Sequence, residues 1–312
     1  MGTTGKIVVV TLALAGFGAV RMPIEARMTR EFREQRLLQP RIDIDTREKL
    51  DQTAAMVAFG GLRTLIAAML NLRAFGYFER LDWGALESTY ETICMLAPHT
   101  VFYWDNAAWH LAYNAAVDFK ERKDLPPLRR RQLWHDSILK VIDIFKDGIR
   151  NNPDDWTLAV ALGNLQSSPF KLRDYKDAAK WYGYAIEHGA PDFVRRFQLF
   201  AIARIPGREK ETLELARKYH ADPKMRVPTL DCLLFTCEYR ANPNQPIGPL
   251  IEKIFGSQQK AWNELSTYHL TDMPSAGIEP ALRWLEQRLP RQPASKPVRE
   301  KQEPRETPEG GQ

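Results

Sequence analysis

The chain begins with an unbroken apolar run and thereafter spaces its apolar residues as helices do. Ile7 to Val20 is fourteen residues without a charge, with Lys6 before it and Arg21 after it. As a helix it would reach roughly 21 Å, short of the roughly 30 Å hydrocarbon core of a bilayer. It reads either as a short uncleaved anchor over residues 1–22 or as the apolar core of an export signal. Ala13-Leu14-Ala15 has the small-residue pattern of a cleavage site but lies inside the run, which favours the anchor. Arg21, Arg27, Arg30, Arg33 and Arg36 follow the run, and by the positive-inside tendency they put the body in the cytoplasm. A lone Lys6 before a short apolar stretch reads the other way, as export, so the side of the membrane stays open.

Residues 23–53 predict a charged stalk. Arg and Glu interleave there without an apolar stripe, and Pro40 precedes the alternating Arg41-Ile42-Asp43-Ile44-Asp45. A second apolar stretch, Ala54 to Leu72, carries one charge, Arg63, near its middle, and Gly60-Gly61 interrupts it. A central Arg costs about 2.5–3.5 kcal/mol on insertion. Leu62, Leu65, Ile66, Met69, Leu70, Arg73 and Ala74 keep helical spacing, so the stretch predicts a helix of a packed body rather than a second span.

From there to residue 289 the pattern predicts an all-α body, with long amphipathic stretches separated by turns rich in Pro, Gly, Asn and Asp. Pro98, Pro153, Pro191 and Pro223 each follow one amphipathic stretch and precede another, at intervals of 55, 38 and 32 residues. Proline cannot donate to a helix ladder and biases its predecessor away from helix, so these are natural boundaries between helix pairs. Helices are also predicted around Leu230–Tyr239, Pro249–Phe255 and Ile278–Leu289. Residues 290–312 are Pro, Glu, Arg, Lys and Gln with almost no large apolar residue, and predict a disordered tail.

The residues at these boundaries resemble the tetratricopeptide repeat family, whose unit runs W-x2-L-G-x2-Y, then A-x3-F, then P. The first unit, 67–98, has Leu70-x2-Arg73-Ala74-x2-Tyr77, then Leu86-x3-Tyr90 and Pro98. Its turn Leu81-Asp82-Trp83 stands where the family usually has Gly-Asp-Tyr. The second, 101–153, has Trp104-x2-Ala107-Ala108-x2-Leu111, then Val141-x3-Phe145 and Pro153 after an insertion. The third, 156–191, has Ala159-x2-Leu162-Gly163-x2-Gln166, then Ala178-x3-Tyr182 and Pro191. The fourth, 194–223, has Phe197-x2-Phe200-Ala201, then Thr212-x3-Ala216 and Pro223. Arg73 stands where the family has an apolar residue and Gln166 where it has tyrosine. The resemblance covers about residues 67 to 223 and implies an α-solenoid of antiparallel helix pairs over 54–289. Gly60-Gly61-Leu62-Arg63 and the segment Trp104 to Asn114 also resemble bacterial repeat proteins that carry an N-terminal anchor. That likeness implies a bacterial membrane protein with a single-pass anchor, and no mechanism.

Composition narrows the function without naming it. The 44% hydrophobic and 27% charged content of the 312 residues is ordinary for a folded protein. Cys94, Cys232 and Cys237 form neither a disulfide framework nor a CxxC pair, and default to buried thiols. Six histidines are scattered singly, and no phosphate loop, zinc helix or nucleophile elbow is present, so no catalytic residue, cofactor or metal is expected. The net charge of +5 is modest but uneven, with Lys120, Arg122, Lys123, Arg129, Arg130 and Arg131 opposed only by Glu121 and Asp124. That segment reads as a solvated loop between helices; no aromatics interleave with it, and no nucleic-acid partner is expected. An anionic lipid or nucleic acid bound there is one alternative.

The densest polar-aromatic group is Trp104, Asp105, Asn106, Trp109, His110, Tyr113 and Asn114. Asp105 and His110 offer the types for an orienter and a general base, so a helical enzyme or carbohydrate-binding domain is another alternative. The leading expectation is a scaffold for protein partners, held at a bacterial membrane by the N-terminal helix and supporting an envelope or secretion assembly. The family's groove is lined by the first helix of each pair, and by helix phase its candidate residues are Arg73, Asn106, His110, Asn114, Asn164 and Arg204.

Overall fold

The computed structural model describes residues 62–269 and 271–289 of the chain. The expected anchor (1–22), stalk (23–53) and tail (290–312) lie outside them, as does the repeat domain before residue 62. Among the described residues the regular structure is helical, with no strand. None of these helices is long and apolar enough to cross a membrane. The chain divides into two compact units between Ile202 and Ala203, a division that falls within the expected fourth repeat.

In the first unit α1 (Arg63–Glu79) and α2 (Trp83–Leu96) pack as a pair. The reversal between them is tight. Leu81 takes a left-handed backbone, φ 55°, at the place where the resemblance puts glycine. Asp82 then caps α2 by accepting from the Ala85 amide at 3.1 Å. Next comes α3 (Val101–Trp109), which runs without a break through a π-helical segment, His110–Ala115, into α4 (Ala116–Glu121).

α5 (Pro127–Asn151) is one 25-residue helix. The basic segment was expected as a loop between helices, and this is corrected: only residues 122–126 leave the helix, and Arg129 to Arg131 lie in the first turns of α5. Pro126 and Pro127 explain the difference, since proline is tolerated where a helix has no amide to satisfy. α5 buries Ile138, Val141, Phe145 and Ile149 along one stripe and packs on α3, the π segment, α4 and α6.

α6 (Thr157–Ser167), α7 (Tyr175–Glu187) and α8 (Phe193–Ile202) pack in succession. The contact between α6 and α7 is made by removing a side chain. A Cβ on Gly163 would lie 2.6 Å from the Tyr182 ring, and the Tyr182 hydroxyl reaches Asn164 at 2.8 Å. Asp174 caps α7 through the Asp177 amide at 2.9 Å.

The second unit holds α9 (Glu209–His220), α10 (Pro228–Ala241), α11 (Ile247–Phe255), α12 (Gln258–Tyr268) and α13 (Ile278–Glu286). α10 is buried along most of its length and packs on α9, α11 and α12. Its core contains a charge: Asp231 receives Lys260 Nζ at 2.8 Å and faces His220 Nε2 at 3.4 Å.

Candidate functional site

The polar-aromatic group on α3 is assembled by three helices of the first unit. Tyr90 of α2 is buried, and its hydroxyl donates to Asn71 Oδ1 of α1 at 3.1 Å. The same hydroxyl accepts from Asn106 Nδ2 of α3 at 2.6 Å. The chain Asn106–Tyr90–Asn71 satisfies polar groups that would otherwise be costly to bury. Burial pushes the Tyr90 phenol up to about 12, despite the opposing hydrogen bond from Asn106.

His110 opens the π segment and sits among three rings. Its centroid lies 5.0 Å from Phe78, 5.7 Å from Tyr90 and 5.2 Å from Trp109. A ring nitrogen meets the Asn114 amide at 3.3 Å. Burial lowers the His110 pKa, so the imidazole is neutral at pH 7. Asp105 makes no hydrogen bond to it. Burial raises the Asp105 carboxyl instead, and its charge is felt by Tyr113. The orienter–base pairing that these residue types offer is therefore not formed.

The π segment is held from outside. Ser137 Oγ of α5 donates to the Leu111 carbonyl at 2.9 Å, and Lys171 Nζ donates to the Ala112 carbonyl. Lys171 also stands over the Tyr113 ring, 4.4 Å from its centroid. Wider turns of this kind loosen the regular ladder and recur at functional sites. Trp109 just before it and Tyr113 within it are 50% and 41% exposed, while Leu111, Ala112 and Ala115 stay buried.

The six candidate residues do not form one site. Asn106, His110 and Asn114 come together as described. Arg73 is exposed on α1 beside its own Tyr77, 5.5 Å from the ring. Asn164 lies on α6 and is engaged by Tyr182. Arg204 belongs to the second unit, where it pairs with Asp272 at 2.6 Å. Helix phase alone missed Asn71, Tyr90 and Lys171. Tyr90 occupies an aromatic core position of the repeat pattern, and Lys171 lies in a loop; only an unusual buried polar tip identifies either.

The basic segment is partly self-paired, Arg122 with Asp124 at 2.7 Å and Arg129 with Gln132 at 2.9 Å. Among the described residues no group of three or more His, Cys, Asp or Glu could hold a metal ion. The cysteines are free, and burial raises each thiol, Cys94 to about 12 and Cys237 to about 11. No family model matches the chain, and no curated protein matches it.

Proposed function

We propose that this protein is a membrane-tethered, tetratricopeptide-like scaffold that binds protein partners through the outward face of α3 and the π segment. The observation that carries this reading is the exposure of Phe102, Trp109 and Tyr113 on a helix whose opposite face is locked into the core. Large rigid aromatics held by a fixed backbone are the usual anchors of a protein interface. A monomer gains nothing by leaving three of them in water.

The repeat architecture is supported by the packing of its small positions. Gly163 lies against Tyr182, and a Cβ on Gly148 would lie 2.9 Å from Trp104. Gly163 and Tyr182 are the small and the aromatic position of the third unit. Successive packing of α1 with α2, α6 with α7 and α7 with α8 is consistent with stacked antiparallel pairs forming an α-solenoid. The apolar run Ile7 to Val20 supplies the tether, as a single-pass anchor in a bacterial envelope.

The test is co-purification of the full chain from detergent extracts, with protease protection to fix its orientation. The expected result is a stoichiometric protein partner that is retained by the native chain and lost from Trp109→Ala and Tyr113→Ala. A chain that purifies without any stoichiometric partner overturns the reading.

A further inference from the structure

The outward face of α3 to α4 changes character along its length. Asp105 stands near its start, followed at helical intervals by Trp109, Tyr113 and Val117, all exposed. Lys120 stands exposed at the far end, and Lys171 stands over Tyr113. Asp105 and Lys120 are fifteen residues apart, roughly 22 Å along a helix, enough for an extended segment of about six or seven residues.

Lys171 is the unusual member. Its ammonium is spent on the Ala112 carbonyl and the Tyr113 ring, without a carboxylate. Burial first, and the charge of Lys120 second, lower its pKa. Lys120 and Lys171 thus put two ammonium groups toward one end of a face that is otherwise aromatic. A carboxylate is attracted by both. At the other end stands the exposed carboxylate of Asp105, which disfavours a second acidic group there.

We propose that this face takes an extended acidic–aromatic peptide segment of a protein partner, its apolar side chains seated on Trp109 and Tyr113 and its carboxylates at Lys120 and Lys171. The assignment rests on the scaffold reading above and narrows it to one chemistry and one orientation. The acidic end of the segment lies at the π segment's C-terminal side, and its neutral or basic end lies toward Asp105. Discrimination comes from both ends, because a uniformly acidic segment meets Asp105 and a basic one meets the lysines.

The test is selection of random dodecapeptides displayed on phage against the full chain in detergent micelles. Recovered peptides are then synthesised with fluorescein and measured by anisotropy against native protein, Lys120→Glu and Trp109→Ala, each checked for native helicity by circular dichroism. Lys120 is exposed, so its reversal leaves the packing intact. The expected result is enrichment of aromatic residues followed or preceded by two or more acids. Lys120→Glu should then weaken binding at least tenfold, and binding should fall as salt rises.

Recovered peptides without an acidic excess, or binding unchanged in Lys120→Glu, overturn the acidic assignment; if Trp109→Ala still abolishes binding, the scaffold reading stands. No enrichment overturns the assignment, and co-purification then decides the scaffold reading separately. Preferential binding of fluorescein-labelled oligothymidylate or phosphatidylserine vesicles, lost in Lys120→Glu, also overturns it.

Discussion

Tyr182 lies over Gly163 so closely that a Cβ on the glycine would fall 2.6 Å from the ring, a distance that side chains do not adopt. Gly163→Ala must therefore push α6 and α7 apart. The expected cost is about 1–3 kcal/mol, the usual range for overpacking. Gly84, on α2, has nothing within 4 Å of the same position. Gly84→Ala should stabilise by up to about 0.5–1 kcal/mol from helix propensity. Urea denaturation of the two variants checks the pair, and equal effects would remove the close-packing argument.

Leu81 pays for its turn with a left-handed backbone, φ 55°, while half of its surface stays in solvent. That conformation costs an L-residue roughly 1–2 kcal/mol relative to glycine. Leu81→Gly should accordingly raise the melting temperature, by a few degrees after the entropy of glycine is deducted. Leu81→Val should lower it.

The first unit should lose stability in alkali. The Tyr90 phenol is raised from 10.0 to about 12, so its neutral form is favoured in the folded state. That stability is complete below pH 10 and is lost as pH rises from 10 towards 12, on the order of 2 kcal/mol at the upper end. Cys94, raised from 9.0 to about 12, adds a loss of the same sign that begins near pH 9. Unfolding measured between pH 8 and 11 should show a flatter decline in Tyr90→Phe.

Two charge pairs in the second unit should differ in cost. Lys260 reaches the buried Asp231 at 2.8 Å, whereas Arg283 faces Glu279 at 3.9 Å on the surface of α13. Lys260→Met leaves a buried carboxylate with His220 alone, and should cost about 1–3 kcal/mol. Arg283→Met should change stability by less than about 0.5 kcal/mol. Thermal denaturation separates them.

Acid should weaken the contact between α9 and α10. Arg217 binds Glu238 with two hydrogen bonds, at 2.8 and 2.7 Å, and holds the Glu238 carboxyl below its usual pKa. Its contribution is therefore present above pH 4.5 and lost as pH falls through the depressed value. Arg217 is half exposed, so the effect is on the order of 1 kcal/mol. Glu238→Gln should flatten the acid limb of the stability profile.

What the sequence made legible was the part governed by local rules. Pro98, Pro153, Pro191 and Pro223 do separate helices, and the Gly163 and Tyr182 positions of the repeat pattern do meet. The π segment was invisible, because His110 to Ala115 has ordinary helical composition and the wider turn is held by Ser137 and Lys171, donors 26 and 59 residues distant. α12 was missed because Ala261, Leu265 and Tyr268 make a sparse apolar stripe. Its start was nonetheless written in the chain: Gly256 ends α11 at φ 77°, and Ser257 caps α12 through the Lys260 amide. The candidate site suffered most, since helix phase puts Asn106 and His110 near one another but cannot tell that Tyr90 bonds the one and the Phe78 ring packs on the other.

The central claim, that partners dock on the outward face of α3, is tested most directly by photocrosslinking in cells. A benzophenone amino acid is placed at Trp109 in one full-length variant and at Leu128, 80% exposed on α5, in another. One discrete protein adduct is expected from position 109, absent from position 128 and diminished by Lys120→Glu. Equal adducts from both positions, or none from 109 in a folded and membrane-associated chain, would contradict it.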